Sequence, residues 1–207
     1  MPYLLRVELP DVPGSLGRLA SAIGEAGGDI EAIEIVEKRR DGVAVDDVLL
    51  ETAPGTMPDS IVSACNVLDG VRVVWISRYA AGGNLFLDLE AVEELTGNPA
   101  EALDRLIDLL PITFRADWAA RVSRDDGVVY ATQAAPGDLV WQQLGKATRL
   151  ETDDDNVHCG ARLNKHEVVL IGRRGGPEFL DSELARLAHL VGLAMSISRA
   201  AHKAATH

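Results

Sequence analysis

Apolar positions in the first 78 residues switch repeatedly between a spacing of two and the wider spacing of a helix. A spacing of two predicts a strand with one buried face, and spacings of three and four predict an amphipathic helix. In chain order the predicted elements are a strand at 3–9, a helix at 16–23, strands at 33–38 and 43–52, a helix at 58–68 and a strand at 71–76.

Turn residues lie between these elements. Pro13 and Gly14 interrupt the chain after the first strand, Gly27 and Gly28 end the first helix, and the pair at 41–42, Asp-Gly, predicts a hairpin. The resulting order of strand, helix, strand, strand, helix, strand is that of a ferredoxin-like βαββαβ domain. Because this fold supports many functions, the order alone indicates none of them.

A second pattern follows a glycine-containing stretch at 79–84, which is the predicted linker. The sequence therefore predicts one domain at 1–78 and another at 85–207, the latter with a helical lead-in at 85–110. Asp181 is the expected N-cap of the terminal helix. The other expected elements are helices at 85–92 and 103–110, strands at 118–123 and 128–132, a short helix at 138–145, a strand at 168–173 and a helix through 184–195.

Composition narrows the class of protein. The 207 residues are 47% hydrophobic and 25% charged, which is ordinary for a globular protein. A net charge of −12 disfavours binding to nucleic acid, because phosphates would be repelled. The sequence has no apolar run long enough for a membrane span and no signal-peptide pattern. Two distant cysteines favour a reduced setting, so a cytoplasmic protein without membrane contact is expected.

Searches for catalytic and metal-binding motifs find none of the common patterns. The sequence lacks the phosphate-binding G-x-x-x-x-G-K-S/T, the dinucleotide G-x-G-x-x-G after a strand, H-E-x-x-H and G-x-S-x-G. The acidic run at 151–155 lacks the spacing and the glycine of a calcium loop, so a solvated loop is expected there. We therefore expect a protein that is not an enzyme and has neither a cofactor nor a metal ion.

The stretch L-P-D-V-P-G-S-L at 9–16, followed by G-G-D-I at 27–30, resembles the ACT family. The resemblance covers about the first 78 residues and implies an amino acid or a similar small effector bound where two ACT domains meet. The implied contact residues are Asp11, Val12, Pro13, Gly14, Ser15 and Leu16 of one copy and Asp29 and Ile30 of the other. Backbone N–H groups at the helix start would hold an α-carboxylate, and Asp11 would accept hydrogen bonds from an ammonium group.

Two departures from the family pattern affect the expected ligand. Leu9 stands where serine-sensing members have a polar residue, and Asp29 replaces a common asparagine. Two carboxylates in one pocket would oppose an anionic ligand, so serine sensing does not follow from the resemblance. The alternative role of Pro13 and Gly14 is only to turn the chain, with Asp11 as a helix cap.

The end of the chain resembles a GAF domain. The resemblance rests on the strand V-V-L-I-G-R-R at 168–174, the glycine turn before Phe179 and the S-E-L-A-R-L pattern at 182–187. The hairpin expected at 118–132 would correspond to the first strands of that family. The resemblance implies either a ligand pocket or a dimerisation module. Trp141, His158 and Cys159 are the pocket candidates, with the core or the surface as their alternative place. The order His-Cys reverses that of chromophore-bearing members, and His202 and His207 are expected at a helix end.

Three functions compete on these observations. The first is a cytoplasmic, homodimeric regulatory protein whose ACT domain binds an amino-acid-like effector and whose GAF-like domain dimerises or transmits a signal. The second is an assembly protein with vestigial pockets that acts by contact on an enzyme or regulator. The third is an enzyme with a site at the domain interface. The effector and the protein partner remain open at this stage.

Overall fold

A computed structural model describes residues 2–78, 84–151 and 156–205 of the chain. Two compact units are formed, Met1–Ala81 and Gly82–His207. The predicted linker at 79–84 lies outside the described residues except for Asn84, as do His207 and all of the acidic run except Glu151.

The first unit has the element order that the sequence predicts. Its four strands form one antiparallel sheet in the order β2-β3-β1-β4, so that β1 and β3 are central and β2 is an edge. Both fold-class predictions, α+β overall and βαββαβ here, are confirmed. The elements are β1 (Pro2–Pro10), α1 (Ser15–Glu25), β2 (Gly28–Lys38), β3 (Val43–Thr52), α2 (Pro58–Asn66) and β4 (Arg72–Arg78).

One face of this sheet packs against the two helices. Alternate residues of β1 and β3 point to this face, because successive side chains in a strand lie on opposite sides. Leu19 and Ile23 of α1 and Ile61 of α2 complete the core and are fully buried. Val71, directly before β4, is also part of the core, and the members from β1 and β3 are Tyr3, Leu5, Val7, Leu9, Ala44, Val48 and Leu50.

A buried ion pair joins the two central strands on the other face. Arg6 and Asp47 lie directly opposite each other, with Nε–Oδ1 at 2.7 Å and Nη2–Oδ2 at 2.9 Å. Both side chains are almost completely buried. Removing one partner of such a pair leaves an uncompensated charge and costs about 3–5 kcal/mol.

The second unit contains a five-stranded antiparallel sheet in the order β6-β5-β9-β8-β7. Helices α4 and α5 pack on one face of this sheet. The first three residues of α3 are described by their backbone only. An antiparallel sheet with flanking helices is the architecture expected for this part of the chain. Its elements are α3 (Asn84–Gly97), α4 (Ala102–Phe114), β5 (Trp118–Ser123), β6 (Gly127–Ala131), β7 (Ala147–Arg149), β8 (Asn156–Arg162), β9 (Glu167–Arg174) and α5 (Asp181–Ala205).

In the second unit, one predicted helix is absent from the described residues and two strands were not predicted. The expected short helix at 138–145 is irregular chain, in which Leu139 and Leu144 pack against the sheet. Strands β7 and β8 were not predicted, since β7 has only three residues and β8 begins beside the acidic run.

The expected N-cap of the terminal helix also needs correction. Leu180 accepts the bond from the N–H of Leu184, so Asp181 is the first helical residue rather than the N-cap. The carboxylate of Glu183 accepts the N–H of Leu180 at 2.8 Å, which satisfies a donor at the helix start. Asp181 instead pairs with Arg149 at 2.8 Å.

No side chain of the described residues caps the start of helix α2, so a cap can be introduced there to test local stability. Met57 has the extended backbone of an N-cap (φ −84°, ψ 138°), is 63% exposed and precedes Pro58. Met57→Asp should stabilise the protein by about 1 kcal/mol, because aspartate accepts a first-turn N–H. Urea unfolding monitored by circular dichroism measures the change. Met57→Ala is the control, and equal stability of the two variants would contradict the expectation.

Candidate functional site

The turn between β1 and α1 requires a glycine. Gly14 has φ +88°, a left-handed conformation that residues with a Cβ adopt at a cost. The N–H of Asp11 donates to the carbonyl of Gly42 at 2.8 Å, and that of Val12 donates to Pro10 at 2.9 Å. Pro13 and Gly14 therefore have the turn-forming role that the sequence suggested as their alternative, and the turn fixes where α1 starts.

The first N–H of helix α1, that of Ser15, donates to the carbonyl of Val12 at 3.2 Å, and no described side chain accepts from the following N–H groups of the first turn. No side chain among the described residues caps the helix, so the proposed capping role of Asp11 is wrong. Ser15 is 2% exposed and its Oγ accepts from Arg18 at 3.2 Å rather than from a first-turn N–H. Uncapped N–H groups and the helix dipole make such an end favourable for a carboxylate or another anion. Leu16 packs on the core, whereas Val12 is 54% exposed.

Asp11 holds a positively charged amine in the folded chain. The ammonium of Lys38, at the end of β2, donates to both carboxylate oxygens of Asp11 at 2.9 and 3.1 Å. Both side chains are partly exposed, at 57% for Lys38 and 39% for Asp11. An exposed pair of this kind contributes about 0–1 kcal/mol, so a ligand can displace Lys38 at small cost.

A second carboxylate, not identified from the sequence, lies close to this pair. Asp46 of β3 is 2% exposed, and no atom of the described residues bonds its Oδ1. Burial raises the pKa of Asp46, the charges of Asp11 and Asp47 raise it further, and Lys38 opposes the shift. The detectable signal was the V-A-V-D-D-V-L-L segment, where the spacing of two places Asp46 between Ala44 and Val48 on the helix-covered face.

Asp29 and Ile30 lie at the opposite end of β2 from Lys38. Asp29 is exposed and pairs in register with Glu51, while Ile30 packs against the core. Nine residues separate Asp29 from Lys38, which corresponds to about 30 Å along a strand. The structure therefore brings Asp11, Lys38 and Asp46 together within one chain but leaves Asp29 and Ile30 away from them.

The second unit has a cavity on the face of its sheet that the helices do not cover. Its volume is about 670 Å³, and His158, Arg149 and Arg174 are among its polar lining residues. The ring of His158 meets Trp118 edge to face, with the centroids 5.4 Å apart. The chain segment at 136–144 forms part of the opposite wall.

The three residues that the sequence suggested for a pocket, Trp141, His158 and Cys159, do not lie together in one site. His158 lines the cavity, whereas Cys159 points to the other face of β8 and is buried among the helices. Burial raises the pKa of the Cys159 thiol far above its ordinary value, so this thiol stays protonated and unreactive. Trp141 packs beside the cavity wall under the guanidinium of Arg124, which lies 5.1 Å from the ring centroid.

Two further observations concern the described residues alone. Within 2–78, 84–151 and 156–205, no group of three His, Cys, Asp or Glu side chains has the arrangement of a metal site. Over the same ranges, no helix has the length and apolarity to cross a membrane.

A comparison with known protein families agrees with the order of elements and with the glycine turn before α1. The ACT domain family model matches residues 3–56. The N-terminal unit carries an ACT domain. Within it, the uncapped start of α1, Asp11, Lys38 and Asp46 form the candidate site. No curated protein sequence matches the chain significantly.

Solved structures give weaker similarities. A GAF domain from an Acinetobacter phosphoenolpyruvate-protein phosphotransferase is 11% identical, with TM-score 0.45 over 60% of this chain and 97% of that one. A Pseudomonas putida formyltetrahydrofolate deformylase is 9% identical, with TM-score 0.31 over 46% and 38%. An unknown protein from Galdieria sulphuraria is 9% identical, with TM-score 0.34 over 96% and 91%. At such scores, the fold of the second unit rests on its own topology.

The unpartnered carboxylate of Asp46 gives the ACT domain a testable pH dependence. Because its pKa is raised on folding, the ionised form destabilises the folded chain at neutral pH. Asp46→Asn should therefore stabilise the protein by about 1 kcal/mol at pH 7. This gain should shrink as pH falls through the raised pKa and vanish below the ordinary value of 3.8.

Urea unfolding between pH 3 and pH 8 measures this dependence. The matched control is Asp47→Asn, one residue away, which removes the partner of Arg6 and should destabilise by about 3 kcal/mol. A loss of stability in Asp46→Asn at neutral pH would show that this carboxylate has a stabilising partner.

Proposed function

We propose that the protein is a non-catalytic regulatory sensor that binds an amino acid or a similar small metabolite between the ACT domains of two copies. The supporting observation is that Asp11 already binds an ammonium group, that of Lys38, beside the uncapped start of α1. An amino acid carries the same two groups in one small molecule. Its carboxylate would bind the N–H groups of the helix, and its ammonium would replace that of Lys38.

A second copy completes this site through the edge strand β2. Two copies of β2 pairing in antiparallel fashion about a dyad near Ile33 would bring the start of one strand to the end of the other. The partner's Ile30 and the backbone at Asp29 would then lie beside the end of β2 that carries Lys38, with the Asp29 side chain on the other face of the sheet. Half-exposed Ile35 would become buried in this interface. This arrangement gives Asp29 and Ile30 a role that one chain does not give them.

The second unit is proposed to be a GAF-like domain that dimerises or transmits the signal. Its cavity of about 670 Å³ is large enough for a small ligand. The alternative function is that of an assembly protein with both pockets vestigial, which acts on an enzyme or regulator by contact. The exposed side chains of Val12 and Ile35 favour this alternative, because a protein partner would cover them equally well.

The proposed dimer is tested by its mass in solution. Size exclusion with light scattering at micromolar concentration should give twice the chain mass of 22.2 kDa. Ile35→Asp should raise the dimer Kd by about 10- to 100-fold, because two apolar side chains are lost from a symmetric interface. Met57→Asp places the same charge at another exposed apolar position and should leave the mass unchanged. A monomeric unmodified protein would contradict the proposal.

The proposed ligand class is tested by titration calorimetry. One carboxylate about 6 Å from a ligand's added negative charge opposes it by about 3 kcal/mol at an effective dielectric of 20. Glutamate should therefore bind about 100-fold more weakly than glutamine. Asp29→Asn should narrow this difference by improving glutamate. If glutamate binds the unmodified protein best, the site has different chemistry, and absence of all amino-acid binding would favour the assembly protein.

A further inference from the structure

Asp46 has no hydrogen bond among the described residues that accounts for the burial of its Oδ1. Its neighbour Asp47 is bonded to Arg6 at 2.7 Å, whereas Oδ1 of Asp46 is buried without a hydrogen bond from any described residue. Buried carboxylates in folded proteins are paired or hydrogen-bonded, since an unpaired one is costly. A carboxylate in this state, near a helix start and an ion pair that a ligand can displace, is available to a partner from outside the chain.

The position of Asp46 in the sheet gives it a route to such a partner. Its register neighbour toward the edge is Ile35 of β2, which is 50% exposed, and β2 is the edge of the sheet. Directly opposed side chains lie about 5 Å apart on the same face. Asp46 is therefore one strand away from the edge at which the proposed dimer forms, on the face from which α1 also begins.

Lys38 is the basic side chain that lowers the pKa of Asp46 while its ammonium is bonded to Asp11. One ammonium group, that of Lys38, thus interacts with two carboxylates when no ligand is bound. A ligand with one ammonium would replace Lys38 at Asp11 and leave Asp46 as it is. A ligand with two would neutralise both carboxylates, while its carboxylate met the N–H groups of α1.

We propose that Asp46 is a specificity-determining residue of this site, and that it selects a basic amino acid of the lysine or ornithine type by binding the second ammonium group. The ligand displaces Lys38 from Asp11 on entering. This inference rests on the proposed sensor function. It goes further by assigning a residue of β3, outside the turn and outside β2, to the recognition of the ligand's second charge.

The test compares lysine with norleucine, which has nearly the same shape but lacks the ε-ammonium. Calorimetry on the full chain should show lysine binding about 30-fold more tightly than norleucine, as expected for a hydrogen bond to a charged group. In Asp46→Asn this preference should fall to within about threefold, mainly through weaker lysine binding. Glu25→Gln removes one negative charge at the far end of α1 and should retain the preference.

A second variant tests the displacement of Lys38. Lys38→Met removes the internal competitor and should improve lysine binding by about threefold, because the exposed pair with Asp11 is weak. Loss of lysine binding in Lys38→Met, with the variant folded and dimeric, would overturn the displacement step.

The outcomes separate this inference from the function on which it rests. Binding of glutamine and norleucine with no preference for lysine, or an unchanged preference in Asp46→Asn, overturns the role of Asp46 and leaves the sensor function standing. Binding of no amino acid overturns both. Unfolding of each variant by urea accompanies the titrations. A role for Asp46 in the fold alone would lower the stability of Asp46→Asn and reduce the binding of lysine and norleucine equally.

Discussion

The register between β1 and β3 is the constraint on which the rest of the ACT domain depends. It places Arg6 opposite Asp47, and the two side chains satisfy each other in a buried environment. Because side chains alternate along a strand, a slip of one residue would turn Asp47 toward the helices and Asp46 away from them. Such a slip would bury Arg6 without its partner. The pair therefore stabilises one register, and that register directs Asp46 to the face where α1 begins.

Three features of the candidate site lack the stabilising interactions that are usual in a folded protein. Among the residues that the structure describes, helix α1 has no side-chain cap, Oδ1 of Asp46 has no hydrogen bond, and Asp11 pairs with a mostly exposed lysine. The first two features cost stability, the exposed pair contributes little to it, and all three lie at one end of the sheet. The core beneath them, which includes fully buried Leu19 and Ile23, shows no comparable defect. A binding site typically has lower local stability than the well-packed core around it.

Much of the ACT domain could be predicted because residues close together in the sequence determine its strands, turns and helices. The spacing of two in β1 and the Pro13-Gly14 turn determine strand, turn and helix within a few residues of one another. Lys38 and Asp46 could not be assigned to the site, since their proximity to Asp11 arises only when β2 and β3 pair. In the second unit the same limit produced an error. The segment at 138–145 was expected to be a helix, but the apolar partners of its Leu139 and Leu144 belong to a sheet formed by distant strands.

The separation of His158 from Cys159 shows why closeness in sequence is a poor guide to a site on a strand. Adjacent residues of β8 point to opposite faces, so His158 lines the cavity while Cys159 joins the helix-side core. A site on a sheet draws instead on residues that pairing brings to one face. In the second unit these come from β5, β8 and β9, through Trp118, His158 and Leu170. In the ACT domain the same rule links Asp46 to the edge at Ile35, and through that edge to a second copy.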